Sequence, residues 1–331
     1  MRSAACSRTR RAALAREGVQ LALESGAELI LAVGGGSVMD CCKAIAHGAA
    51  NPGTDIWEFW KRRAPLTRSM PVGVVLTIPA AGSETSDSAV LTNAEAGEKR
   101  GLNTPFNRPA FAILDPLLAA TLPVHQVACG VSDILMHTLD RYFNPVTDNA
   151  LTDELAEALL RIVLEYGPAA VRDAHDETAM SEIMWAGSLS HNGLTGLGGK
   201  KDFATHQLGH ALSEKFDVYH GDSLTAVWSS WARSVMDESP ARFARFARNV
   251  WHVEEADDTA AALAGIAKQE VFFQSIGMPV RLGELSCGKQ DEAGLADLAN
   301  RCSYGKTRTI GTFRVLDYES ILAIYRRANE A

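Results

Sequence analysis

The chain has 331 residues and a formal net charge of −8; 47% of its residues are hydrophobic and 22% are charged. This composition allows a large buried core and excludes an intrinsically disordered protein. The negative charge argues against nucleic acid and anionic membrane as partners, and no apolar run approaches the about 18 residues of a membrane-spanning helix. Six cysteines without a CxxC pair are typical of a cytoplasmic protein.

The first sixteen residues are rich in arginine and contain no acidic residue. Three interpretations stay open: a solvated helix start, a transit-like segment, or a misassigned start codon. The segment lacks the apolar stretch of a secretory signal, which argues against that class.

Short apolar segments alternate with helical or loop sequence in the first third of the chain. The first of them runs directly into three glycines. Continuous apolar strands separated in this way predict a parallel sheet that is buried on both faces. The predicted strands are residues 27–33, 72–78 and 110–114, and the first predicted helices are residues 12–26 and 37–49.

The character of the sequence changes near residue 122. Beyond it strand signals are few and helical spacing dominates. We therefore predict an α/β domain over residues 1–122 and an all-helical domain over residues 123–331. The clearest predicted helices of the second domain are residues 150–165, 177–192, 203–215, 239–252 and 258–276.

Two loops at the ends of predicted strands favour a nucleotide site. Gly34-Gly35-Gly36-Ser37 leaves a strand and opens a helix, where free N–H groups and the helix dipole attract a phosphate. This is not the GxGxxG fingerprint, and a simple tight turn is the alternative. The second loop, residues 77–86, is rich in hydroxyl groups, and ligands bind open α/β sheets at such strand ends.

A first pair of potential metal ligands lies on a predicted helix. Asp133 and His137 are four residues apart, a spacing that puts both side chains on one face. Asp140 lies three residues further on, on or near the same face.

Three more histidines follow in the stretch from residue 204 to residue 220. His206 and His210 are again four apart, and His220 lies beyond the helical stretch and can fold back. Three imidazoles with a carboxylate suit Fe²⁺ or Zn²⁺. Histidines also cap helices and fill cores, so an incidental pair is the alternative. We interpret the remaining histidines, which lack such spacing, as structural or exposed: His47, His125, His175, His191 and His252.

These motifs resemble the iron-containing alcohol dehydrogenase family, and within it the branch of NADPH-dependent butanol dehydrogenases and aldehyde reductases. The similarity covers nearly the whole chain. The stretches that carry it are LAVGGGSVMDCCKAIA (31–46), LTIPAAGSETS (76–86), AILDPLLAATLPVHQVACGVSDILMHTLDRYF (112–143) and DFATHQLGHALSEKFDVYHGDSL (202–224).

The resemblance implies a Rossmann-like α/β domain and a helical metal-binding domain, with the active site in the cleft between them. It implies Asp133, His137, His206 and His220 as metal ligands, in place of the His206–His210 pair that spacing favours. His210 would lie beside the metal as a proton relay, or alternatively orient the site. The implied cofactor-binding residues are Gly34, Gly35, Gly36, Ser37, Asp40, Thr77, Ser83 and Lys99.

In the family the glycine loop lies much further from the start than Gly34 does here. We therefore expect an incomplete cofactor domain, without the strand and loop that meet the adenosine ribose, and a chain that binds metal but turns over poorly. The resemblance further implies NADP(H) rather than NAD(H), a small alcohol or aldehyde as substrate, and a homodimer.

Two other classes of protein remain open. A cofactor-free metallohydrolase uses the same kind of ligands to activate water, but does not need the glycine loop. A truncated metal-binding protein with little activity is the second. Glycerol-dehydrogenase-like and dehydroquinate-synthase-like enzymes share the architecture but use other ligands, so the Asp/His set argues against them.

Overall fold

The computed structural model describes residues 12–96, 98–146 and 148–330, so most of the arginine-rich start and Cys6 lie outside the described residues. Five strands fall before residue 115. They are β1 (Ile30–Gly34), β2 (Val72–Leu76), β3 (Ser88–Asn93), β4 (Glu98–Asn103) and β5 (Phe111–Leu114).

Three of these strands form the predicted parallel sheet, in the order β1-β2-β5. Val33 pairs with Val75, and Val75 pairs with Ile113. The strands β3 and β4 form a separate antiparallel hairpin that the sequence did not predict. Its second strand carries three charged residues in its first three positions, which hides the usual apolar alternation.

One face of the parallel sheet contradicts the prediction of burial on both sides. Leu31, Val33, Phe111 and Ile113 are 44–56% exposed. On the opposite face, Ala32 and the apolar side chains of β2 are part of the main core. The described helices cover that second face only, and the other therefore forms an apolar surface.

Three helices complete the α/β part: α1 (Ala12–Glu24), α2 (Gly36–Ala50) and α3 (Ile56–Trp60). The first two lie within two residues of the predicted bounds. α1 packs closely on α2, since a Cβ at Gly18 would come within 2.4 Å of Ile45. The short α3 buries two tryptophans, Trp57 and Trp60, in a separate apolar cluster with α1, α2 and the hairpin.

The rest of the chain is helical, as predicted, and its described residues form nine α-helices. α4 lies at the centre, with every residue from Gly130 to Tyr142 buried. The switch from strands to helices falls between Leu114 and Val124, and residue 122 remains a predicted boundary. The helices are α4 (Val124–Tyr142), α5 (Ala150–Arg172), α6 (Glu177–His191), α7 (Ala204–Phe216), α8 (His220–Val235), α9 (Pro240–Trp251), α10 (Asp258–Ser275), α11 (Glu292–Cys302) and α12 (Tyr318–Asn329).

Several of these helices begin at an aspartate whose carboxylate accepts a backbone N–H of the first turn. Asp176, Asp257, Asp291 and Asp317 do so for α6, α10, α11 and α12. Such caps satisfy amide groups that have no partner within the helix. None of the helices in the described part of the chain combines the length and apolar character needed to cross a bilayer. The five cysteines among the described residues are all free thiols.

Candidate metal and cofactor site

Three helices bring the four predicted metal ligands together. α4 presents Asp133 and His137 one turn apart on one face. His206 comes from the first turn of α7, and His220 is the first residue of α8. The chain turns back between α7 and α8 through Asp217, whose φ of 52° is left-handed. This reversal brings His220 to the ligand group.

The spacing between the ligand atoms fits a metal ion. The Nε2 atoms of His137, His206 and His220 lie 3.5, 3.5 and 3.7 Å from Oδ1 of Asp133. Ligands at the usual Zn–N and Zn–O distances are about 3.4 Å apart in a tetrahedron. Nε2 of His206 is buried and has no hydrogen-bond partner of normal geometry. The residues present therefore fit a divalent ion, and the ligand set stays a prediction.

Asp140 holds His206 from its other side. Nδ1 of His206 lies 2.5 Å from Oδ2 of Asp140. Burial opposes a charge on His206, but hydrogen bonds and charges from Asp133 and Asp140 outweigh it and raise the pKa of His206 to about 9. Burial acts on His137 in the usual direction and, together with the neighbouring His191, lowers its pKa well below the normal value.

His210 lies next to the ligand group but outside it. Its ring stacks on that of His220 with a centroid distance of 5.3 Å, and lies 6.2 Å from the ring of His206. One group of side chains that clusters tightly enough for a metal consists of Asp133, His206 and His220; both His210 and His137 fall outside it, although Nε2 of His137 lies 3.5 Å from Oδ1 of Asp133. The geometry therefore favours His220 over His210 as the partner of His206, and His137 stays a predicted ligand.

The sequence interpretation missed a fifth histidine beside the ligands. His191, the last residue of α6, stacks on His137 with ring centroids 4.1 Å apart, and its Nδ1 donates to the carbonyl of Ala81. It therefore links the hydroxyl-rich loop to the candidate metal site. The sequence interpretation placed His191 among the structural or exposed histidines, and its position beside the ligands was not readable because the contact joins segments that are distant in the chain.

Phe203 and Arg141 close another side of the ligand group. The Phe203 ring lies 5.1 Å from the His206 ring, and the Arg141 guanidinium stacks on Phe203 at 4.9 Å. Arg141 also donates to the backbone carbonyl of His137. Burial lowers the pKa of Arg141 to about 10, so the side chain remains a buried cation at neutral pH. Neither residue had a local signal that marked it as part of a site.

The glycine turn has the close approaches that require glycine. Gly34 has a φ of 155°, and a Cβ there would come within 2.7 Å of Val38. A Cβ at Gly35 would lie 2.2 Å from Cγ2 of Ile78 in the second loop. The amide of Thr77 donates to the carbonyl of Gly34, which joins the two loops directly. Gly36 and Ser37 form the first turn of α2, which no side chain caps.

A buried hydrogen-bond network next to this turn holds the two loops together. Its members are Asp40, Lys43 and Ser83. Ser83 Oγ donates to Asp40 over 2.6 Å and accepts from Lys43 over 2.8 Å. Lys43 also donates to the carbonyls of Ser83 and Ser88, and all three network side chains are nearly fully buried. Lys43 was not among the predicted cofactor residues.

One cavity of about 620 Å³ connects the two halves of the site. Asp40, Ser83 and Lys99 line it on the α/β side, and His137, His206, His210 and His220 line it on the helical side. The glycine turn and Thr77 lie outside its wall. Eight cations against two carboxylates line the cavity, so it favours a polyanionic ligand. The cations are Lys61, Arg62, Lys99, Arg100, Arg141, Lys201, Arg301 and Arg308.

Comparison with known proteins identifies the family of this chain. Residues 8–116 match the iron-containing alcohol dehydrogenase domain, and residues 126–329 match the C-terminal domain of the Fe-containing alcohol dehydrogenase family. The chain belongs to this family. The α/β domain followed by a helical domain, predicted from the sequence, is confirmed.

Several curated relatives are 35% identical to the chain. NADH-dependent butanol dehydrogenase A of Clostridium acetobutylicum aligns over 95% of this chain and 80% of its own length. The NADPH-dependent aldehyde reductase YqhD of Escherichia coli aligns over 80% of this chain and 69% of its own length. Since the two names differ in the cofactor, the resemblance alone does not decide between NADH and NADPH.

Solved structures show the same similarity. A crystal structure of E. coli YqhD superposes with a TM-score of 0.89 at 31% identity, and covers 96% of this chain and 81% of that one. The structure of an NADH-dependent butanol dehydrogenase A from Thermotoga maritima gives the same TM-score and coverage at 28% identity.

Proposed function

We propose that this protein is a metal-dependent, nicotinamide-linked alcohol dehydrogenase that also reduces aldehydes. The substrate is a small alcohol or aldehyde, and hydride passes between its carbon and the nicotinamide. The observation that carries the proposal is the shared cavity. Side chains from α2, from the hydroxyl-rich loop and from the metal-ligand group line one space, as hydride transfer requires.

Asp133, His137, His206 and His220 would hold the metal, which supplies Lewis-acid polarisation of a substrate oxygen when bound. The nicotinamide cofactor supplies the hydride chemistry. The chain supplies orientation: Asp140 fixes the ring of His206, and the Asp40–Ser83–Lys43 network fixes the two loops relative to α2. Phe203 packs beside the imidazoles, with its ring 5.1 Å from that of His206.

His210 is the proposed proton relay. It lines the cavity, is only partly buried, and stacks on a proposed ligand, so its imidazole connects the reacting end of the cavity to solvent. An imidazole can both accept and donate a proton, which suits transfer of the alcohol proton in either direction.

The finer assignments are proposals as well. The ion is Fe²⁺ or Zn²⁺, since imidazole and carboxylate oxygen bind both. The cofactor is NADP(H) in preference to NAD(H), and the support for this is the excess of cations along the cavity, which favours an additional phosphate. The active form is a homodimer.

The decisive experiment loads the purified protein with Fe²⁺ or Zn²⁺ and follows NADPH oxidation with a series of short aliphatic aldehydes. We expect turnover with aldehydes, slower oxidation of the alcohols at neutral pH, and a lower kcat/KM with NADH. Equal or better kcat/KM with NADH would overturn the cofactor preference alone. Metal-loaded protein that reduces no aldehyde with either cofactor would overturn the function.

A parallel assay tests the metallohydrolase alternative. The same loaded protein is incubated with activated esters and amides without nicotinamide. We expect no metal-dependent hydrolysis. Hydrolysis that disappears in the His206→Ala variant would favour the alternative, because it would use the same ligands to activate water.

A further inference from the structure

A second group of metal-type side chains lies on the other side of the contact between α4 and α8. His125 and Cys129 come from the first half of α4, and Asp222 comes from the first turn of α8. The three ligand-type atoms lie within 4.8 Å of one another. The sequence interpretation placed His125 among the structural or exposed histidines, and the structure adds contacts with Cys129 and Asp222 to an exposed ring.

The position of this group follows from the spacing along α4. His125, Cys129, Asp133 and His137 recur every four residues, so they form one slowly turning stripe along the helix. The start of α8 lies across this stripe, with His220 next to Asp133 and Asp222 next to Cys129.

The distances within the group match metal coordination. The separations are 3.6 Å between Cys129 Sγ and His125 Nε2, 3.1 Å between His125 Nε2 and Asp222 Oδ2, and 3.8 Å between Cys129 Sγ and Asp222 Oδ1. A tetrahedral zinc ion with sulfur, nitrogen and oxygen ligands gives edges of about 3.4–3.6 Å. The contacts of His125 and Cys129 with Asp222 are to different oxygens of its carboxylate, which offers either one to an ion.

The same geometry argues against a Cys–His–Asp nucleophile. In such a triad the two ring nitrogens of the histidine face different partners, one the thiol and the other the carboxylate. Here Nε2 of His125 faces both Cys129 and Asp222. Three side chains that converge on one point describe a coordination centre and not a relay.

The surroundings provide access and rigidity. His125 and Asp222 line a cavity of about 520 Å³ that is separate from the larger one, and Asp217, Glu284 and Ser286 add oxygen atoms to its wall. Gly221 sets the close approach of the two helices, because a Cβ there would lie 2.6 Å from Cα of Cys129. The three side chains are thus carried by packed helices, and two of them, His125 and Asp222, border the cavity.

We propose that His125, Cys129 and Asp222 form a second divalent-metal site, which takes Zn²⁺ or a similar thiolate-binding ion and clamps the start of α8 onto α4. On binding, a metal–sulfur bond forms and the thiol proton of Cys129 passes to solvent, with no change of oxidation state. This site is independent of the proposed dehydrogenase activity, since it shares none of the four predicted ligands.

Cobalt titration of metal-stripped full-length protein tests the proposal. Co²⁺ bound to a thiolate gives a near-ultraviolet charge-transfer band, whereas the predicted aspartate–histidine site contains no thiolate. We expect the wild type to bind about two equivalents and to show the band, because both ligand groups are complete. His125→Ala and Cys129→Ser should lose the band and about one equivalent.

Two matched variants separate this site from the other. Cys287→Ser removes a different partly buried thiol and should keep the band, and His206→Ala should lose the other equivalent and also keep it. His125 is exposed, so its replacement leaves the fold intact. A wild type without the band, or a band that persists in both His125→Ala and Cys129→Ser, would overturn the proposal. Failure of the dehydrogenase assay would leave this result unaffected.

Discussion

The imidazole of His206 and the carboxylate of Asp140 are joined by a hydrogen bond of 2.5 Å that connects α7 to α4 at the candidate metal site. The bond occupies Nδ1 and directs Nε2 toward Asp133. Such a carboxylate fixes the tautomer and direction of a metal-binding histidine. Asp140 is therefore a positioning residue, although the sequence placed it only near the ligand face.

We expect Asp140→Asn to weaken binding of Zn²⁺ by about 10–100-fold, the usual effect of losing such a partner. Competitive titration against a chromophoric chelator measures this. Asp153→Asn removes a different buried carboxylate, which pairs with Arg242, and is the control for general destabilisation. Unchanged zinc affinity in a folded Asp140→Asn protein would contradict the role given to Asp140.

The His210→Ala variant tests whether His210 is a metal ligand or a proton relay. Since the ring lies beside the group and not in it, we expect full metal content and a kcat lower by about 10²-fold, with the neutral-pH limb of the rate profile removed. His220→Ala is the comparison and should lose the metal. If His210→Ala also loses it, His210 is a ligand, and the spacing argument is right after all.

Gly35→Ala tests the cofactor loop. The new methyl group would lie 2.2 Å from Ile78, so the turn must move. Overpacking of this kind costs about 1–3 kcal/mol, and about 1.4 kcal/mol lost from cofactor binding raises its dissociation constant tenfold. We expect weaker NADPH binding in a fluorescence titration, with metal content unchanged. Adding Ile78→Ala should restore part of the affinity; no recovery would place the effect elsewhere.

His47 makes the fold sensitive to acid. It is fully buried on α2, with Nδ1 2.8 Å from Ser69 Oγ and Nε2 2.8 Å from Asn107 Oδ1. Burial lowers the pKa of His47 from 6.5 to about 4, although Asn107 opposes the shift. The neutral form is favoured in the folded state, so its contribution is complete above pH 6.5 and is lost as the pH falls toward 4.

This shift corresponds to up to about 3 kcal/mol of the free energy of unfolding between pH 6.5 and 4. Urea unfolding of His47→Gln should show a flatter dependence on pH in that window, since glutamine does not ionise there. His175→Gln, at a 74% exposed histidine, is the control and should follow the wild type. Equal slopes for His47→Gln and the wild type would show that His47 does not cause the acid sensitivity.

The strands and helices that depend on neighbouring residues could be predicted from the sequence. Apolar runs located all three parallel strands, and helical spacing located most of the long helices within a few residues. The spacing of Asp133 and His137 on one helix face was also readable. The hairpin of β3 and β4 was missed because Glu98, Lys99 and Arg100 interrupt its apolar alternation.

Contacts between distant segments were not readable from spacing. His220 joins the ligand group only because α7 ends at Phe216 and the chain turns back at Asp217. Periodicity favoured His210 instead, and the family resemblance was needed to prefer His220. The partners of His191 come from segments far away in the chain, so no local pattern could have found them. His125 differs, because Cys129 lies one turn further along α4 and only Asp222 is distant in the chain.

Because Gly221 has no side chain, its position limits how this enzyme could be altered. Because only a hydrogen atom fits between α8 and Cys129, a side chain at Gly221 would push the start of α8, which carries both His220 and Asp222, away from α4. A substitution at Gly221 would therefore disturb both groups of ligand-type side chains at once.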